Sequence, residues 1–146
     1  MSRVDRNALI WVGLGSLVGG LTRYLISVPW LMGLGGQFPW PTLVANIIGC
    51  MLIGFWFALM TIRAGWSAMP GVQLAVMVGF CGGLTTFSIF SLETLVLIEA
   101  GEWLLSITYL AGSVPLWMLA VWAGFSSARI ILDKLPSKRD SSDCIS

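Results

Sequence analysis

"GFCGGLTTFSIFSLE", Gly79 to Glu93, is the stretch on which the fold turns. It lies within a run apolar enough to cross a bilayer, yet it holds three glycines, two threonines, two serines and a glutamate. Each of these is costly in hydrocarbon unless it faces protein or a water-filled cavity. The run that contains it, Val72 to Ile98, is also long. At about 1.5 Å of rise per residue it would reach about 40 Å, against a hydrocarbon core of about 30 Å. A break would absorb the surplus, and "CGGLTT" (Cys81–Thr86) is where the sequence predicts one. Gly82 and Gly83 weaken a helix there, while Thr85 and Thr86 offer hydroxyls to freed backbone groups. In transporters such breaks hold Na⁺ on freed carbonyls and draw anions to half-helix N-termini.

The whole composition agrees with a membrane setting. The chain has 146 residues, of which 57% are hydrophobic and only 10% charged; soluble domains carry about 25% charged residues. The net charge of +1 argues against nucleic acid as a partner. There is no histidine, which removes the commonest general base and metal ligand. The cysteines, Cys50, Cys81 and Cys144, are too scattered for a disulfide framework or a zinc site. Cys50 and Cys81 read as small packing residues.

Three further segments are long enough to span, since crossing takes about 20 apolar residues. They run from Ala8 to Val28, Thr42 to Ile62 and Trp103 to Leu132, the last containing Pro115 and expected to kink there. "MSRVDRNALIWVGLG" opens like a signal peptide but continues too far, so it reads as a retained first span. "SVPWLMGLGGQFPWP", from Ser27, reads as an interfacial loop. The expected organisation is one four-span domain, residues 1–132, followed by a polar tail, residues 133–146. Gly13, Gly15, Gly19, Gly20, Gly49 and Gly54 would let helix backbones approach closely.

The polar residues inside the spans are the candidate site. Phe87 and Phe90 are three apart and share a helical face, and the positive edge of a phenyl ring can meet a bare anion. Asn46 lies in mid-span, where an amide needs a partner. Tyr109 and Ser113 form an i, i+4 pair offering two hydroxyl donors. Glu93 is the one carboxylate well inside a span, and Arg23 the one charge in the first. Donors without cationic neighbours suit a small anion that must pass rather than stick.

"GGLTRY" (Gly19–Tyr24), "PTLVANIIG" (Pro41–Gly49) and the Gly79–Glu93 motif resemble the Fluc/CrcB family of small fluoride channels, over roughly residues 9–130. The resemblance implies a passive fluoride channel in the cell's inner or plasma membrane, exporting fluoride to limit its toxicity. It also implies an antiparallel dimer with two fluoride pathways and a structural, untransported Na⁺ at the centre. By motif position, the carbonyls of Gly82 and Thr85 would hold Na⁺. Asn46, Phe87, Phe90, Tyr109 and Ser113 would line the fluoride pathway. Glu93 would be a polar-track carboxylate, and Arg23 a vestibule or structural arginine. Family members commonly have threonine where this chain has Ile89, which removes a hydroxyl from the polar side of that helix.

Two other classes compete. A small multidrug-type proton-coupled antiporter is also a four-span antiparallel dimer, but it needs a carboxylate in the first span, and none is present. A non-transporting assembly protein leaves the threonine–phenylalanine–serine run without a purpose. An enzyme lacks the necessary acids and bases. Arg3, Arg6, Arg63, Lys134, Lys138 and Arg139 all fall on one side of four spans, while the opposite two loops carry no Lys or Arg. That bias predicts cytoplasmic termini. It leaves two partners open: a second copy inserted the other way, or an oppositely oriented paralogue.

Overall fold

The computed structural model describes residues 3–34, 36–62 and 70–134. All its regular structure is helical, and four segments are long and apolar enough to cross a membrane: Arg6–Gly33, Trp40–Ile62, Gly71–Glu99 and Trp103–Asp133. The boundaries expected from the sequence hold to within a few residues, except at the first loop. Helix α1 (Arg3–Pro29) continues through Ser27 and Pro29 and is followed by one wider turn, Trp30–Leu34. Proline's fixed φ is itself helical, and the Ser27 hydroxyl donates back to the Arg23 carbonyl at 3.0 Å. The turn ends where Gly33 takes φ 77°, a left-handed conformation that glycine adopts at no steric cost.

Helix α2 (Trp40–Ile62) carries Pro41 in its first turn, where a missing N–H is harmless. The third span comes in two pieces. Its first half, α3, covers residues 70–84, from Pro70–Gln73 through a wider, π-wound Leu74–Cys81 to Gly82–Leu84. Its second half is α4 (Ser88–Glu99). Gly101, at φ 82°, closes α4 in a Schellman motif, with Glu102 N–H donating to the Leu97 carbonyl at 2.9 Å. Helix α5 (Trp103–Asp133) then runs without interruption past Pro115.

Neighbours in sequence are not the main neighbours in space. α1 packs along α3, α2 packs along α5, and α4 leans on α5. Both large contacts depend on glycine. Gly15 and Gly19 of α1 face Gly79 and Gly83 of α3, and an added Cβ at any of the four would run into the opposing backbone. Gly54 and Gly124 meet in the same way across α2 and α5. In lipid, where apolar area alone gives helices no reason to associate, such close backbone contact is what drives pairing. Gly13 and Gly20, expected to join this packing, have open space beside them.

The break falls within Cys81–Thr86, where it was expected, at the threonine end of that segment and not at its glycines. Gly82 and Gly83 remain helical, and the chain leaves the helix at Thr85, with φ −83° and ψ 150°. Gly83 is a packing glycine here, its α-hydrogen set against Ser16 of α1, and that contact outweighs its poor helix propensity. Of the charges behind the orientation argument, Arg63, Lys138 and Arg139 lie outside the described residues, as do Cys144 and residues 135–146 of the tail.

Candidate functional site

The site is assembled around the break. In a continuous helix the Thr86 N–H would donate to the carbonyl of Gly82, four residues back. Here it donates to Asn46 Oδ1 at 2.8 Å, and Asn46 Nδ2 donates to the Thr86 carbonyl at 3.0 Å. One amide side chain from α2 thus satisfies both backbone groups of a single unwound residue, as a neighbouring peptide would. Similarly, the Ile89 N–H would reach the Thr85 carbonyl but goes to Thr86 Oγ1 at 3.3 Å. The carbonyls of Gly82 and Thr85 are therefore two, among those at the break, whose helical donors bond to side chains instead. Thr85 itself is anchored to Cys81, whose carbonyl accepts from both the Thr85 N–H and hydroxyl at 2.9 Å. Gly49 of α2 leaves the space that the Thr85 methyl fills.

Beyond the break, the two phenylalanines part company. Their ring centroids are 5.6 Å apart, yet Phe90 is 1% exposed and Phe87 70%. Phe90 is held between two rings of α5, with centroids 4.9 Å from both Tyr109 and Trp117. Phe87 precedes the half-helix and projects beside an open cavity of about 270 Å³ lined by Asn46, Cys50, Ile53, Thr85, Thr86, Phe87 and Trp117.

Glu93 sits one turn past Phe90 and accepts two hydroxyls, Thr42 at 2.7 Å and Tyr109 at 2.8 Å. Ser113 donates to the Tyr109 carbonyl at 2.6 Å. Tyr109 and Ser113 both donate, as their spacing suggested: Tyr109 across to α4 and Ser113 back to its own helix. Buried in apolar surroundings, each hydroxyl takes the nearest acceptor within the chain. Arg23 stays on α1, outside this cluster, with its Nε buried and no acceptor for it among the described residues.

Two participants went unseen in the sequence. Thr42 precedes Asn46 by one helical turn, so the i, i+4 rule could have paired them on one face of α2. Trp117 continues the Tyr109–Ser113 series by another four residues. Its ring lies at 70° to that of Phe90, and its buried Nε1 has no acceptor among the described residues.

This arrangement can be compared with known proteins. The family profile described as CrcB-like protein, camphor resistance (CrcB), matches residues 10–125, which include all four spans in large part. The chain is 45% identical over 121 residues to the fluoride-specific ion channel FluC 1 of Bradyrhizobium diazoefficiens, covering 82% of this chain and 84% of that one. It is 46% identical to FluC of Paramagnetospirillum magneticum, covering 82% of this chain and 94% of the relative. FluC of Nitrobacter winogradskyi is 41% identical over 123 residues, covering 84% and 96%. A four-span helical bundle with a broken third span, matched over most of its length, makes this chain a multi-pass membrane protein of the CrcB family.

Proposed function

We propose that the chain is a passive fluoride channel whose ion passes the edge of Phe90. The observation that carries this is the placing of Phe90 on a half-helix that starts at mid-span, beside a run of hydroxyls that a single carboxylate holds in order. The first turn of α4 has N–H groups without helical acceptors and the positive end of a helix dipole. Ring edges and N–H dipoles attract an anion without binding it as tightly as a lysine or arginine would, which suits conduction. Glu93 orients the Thr42 and Tyr109 hydroxyls; turning a hydroxyl from the carboxylate to a passing ion moves one proton through a small rotation. With both oxygens accepting, Glu93 serves in this reading as an orienting group.

The cation belongs to the same proposal. Among the described residues no cluster of three His, Cys, Asp or Glu is present, so a cation would rely on neutral oxygens, and the Gly82 and Thr85 carbonyls have lost their helical donors. Those two carbonyls, supplemented across the contact with an antiparallel partner, suit Na⁺. Bound there, Na⁺ supplies fixed positive charge at the centre of the assembly. The apolar side chains exposed on α1 and α4, Leu17, Leu21, Leu92 and Val96 among them, are available to lipid or to that partner.

Fluoride efflux from loaded liposomes tests the channel reading. Efflux should proceed when valinomycin lets K⁺ leave alongside fluoride to balance the charge, and without stoichiometric proton movement. Obligatory proton coupling would favour the antiporter. Replacing Na⁺ by a large organic cation on both sides should stop efflux. Thr85→Pro should stop it as well, since it removes the N–H that Thr85 donates to Cys81. Indifference to the cation would remove Na⁺ from the account.

A further inference from the structure

We infer that Asn46 is a positioning residue for the cation site, in addition to any contact with the anion: its side chain keeps the Gly82 carbonyl available. This inference rests on the proposed Na⁺ site and goes beyond it by naming what keeps that site open. If the break closed, the Thr86 N–H would return to Gly82, four residues back, because that is the acceptor a helix gives it. Asn46 Oδ1 holds that N–H at 2.8 Å, and Asn46 Nδ2 holds the Thr86 carbonyl at 3.0 Å. Both contacts are on the backbone, so they fix the direction of the chain and not merely a rotamer. Thr86 is thereby prevented from extending the helix in either direction. Asn46 is buried on the face of α2 that also carries Thr42 and Gly49.

The chemistry separates the two halves of the amide. The acceptor, Oδ1, is what diverts the Thr86 N–H from Gly82. An aspartate retains an acceptor there and loses the donor; a leucine retains neither. Cation binding should thus follow the acceptor, whereas fluoride passage should follow the absence of negative charge.

The test is the Na⁺-dependent thermal stability of the purified, detergent-solubilised protein, titrating NaCl against choline chloride at constant ionic strength. A ligand that binds only the folded state raises its melting temperature. Wild type should show a saturable rise. Asn46→Asp should keep that rise, with its midpoint near wild type, while fluoride efflux falls to background. Asn46→Leu should need about tenfold more Na⁺ or lose the response, because the Thr86 hydrogen bond now competes for the carbonyl. A Leu variant with a wild-type midpoint overturns the inference. Should that variant fail to fold, the Asp variant decides alone, and loss of its Na⁺ response overturns the inference equally. A wild type with no Na⁺ response removes the cation reading itself, and with it this inference, before any variant is made.

Discussion

Gly83→Val should leave no folded protein to purify. A Cβ at that position would lie 2.6 Å from the Ser16 carbonyl oxygen, 3.0 Å from Ser16 Cα and 3.1 Å from Gly20 N. All three are backbone atoms of a helix and cannot rotate aside, so the whole of α1 would have to retreat from α3. Overpacking by a methylene or two usually costs about 1–3 kcal/mol. A displaced helix contact forfeits the packing of every residue along it, within a total stability of about 5–15 kcal/mol. Gly20→Ala is the matched control. Its backbone N borders the same contact, but nothing stands within 4 Å of its own added methyl. It should be neutral, or stabilising by up to about 1 kcal/mol through helix propensity. Size-exclusion profiles and melting temperatures of the two variants check this. A monodisperse Gly83→Val with a wild-type melting temperature would mean that α1 and α3 are not in contact there.

Phe90→Ile should give the opposite result, a folded protein that does not conduct. The ring is buried between Tyr109 and Trp117, and a smaller apolar side chain of similar character costs about 1–1.5 kcal/mol where neighbours can adjust. The isoleucine has no positive edge to offer. An anion passing it would lose the ring-edge contact, which an aliphatic side chain cannot replace. A barrier raised by about 1.4 kcal/mol slows passage tenfold, and efflux should fall by at least that factor. Fluoride efflux at the wild-type rate from a stable Phe90→Ile protein would make Phe90 a packing residue and end the ring-edge account.

How much of this could be read in advance differed by kind of interaction. The spans were legible because hydropathy over about 20 residues is a local property. That the third span breaks was legible from its length and its polar residues. So was its place, within Cys81–Thr86. Which residue of that segment unwinds was not: Gly82 and Gly83 are the weakest helix formers there, yet Gly83 is held helical by α1 and the chain departs at Thr85. The cause lies in Asn46, 40 residues away from Thr86, and no local propensity carries that information. Tyr109 and Ser113 were correctly placed on one face of α5, but spacing says nothing about which acceptor a hydroxyl finds. The π-winding of Leu74–Cys81 has no signature in side-chain pattern at all.

The interleaved pairing of the spans has a consequence for how the protein comes to exist. Helices that leave the ribosome in succession often settle first as a hairpin, each sheltering the next. Here α1 finds its close partner only when the third span has been inserted, and α2 only when α5 has. Until then the glycine faces of the first two spans stand open to lipid. No amino-terminal fragment of two spans is therefore a folding unit, and the break between α3 and α4 forms between two pairs of helices that are completed at different times. The hydrogen bonds that hold the gap at Thr86 come from α2, so a helix paired with the fourth span fixes the break in the third.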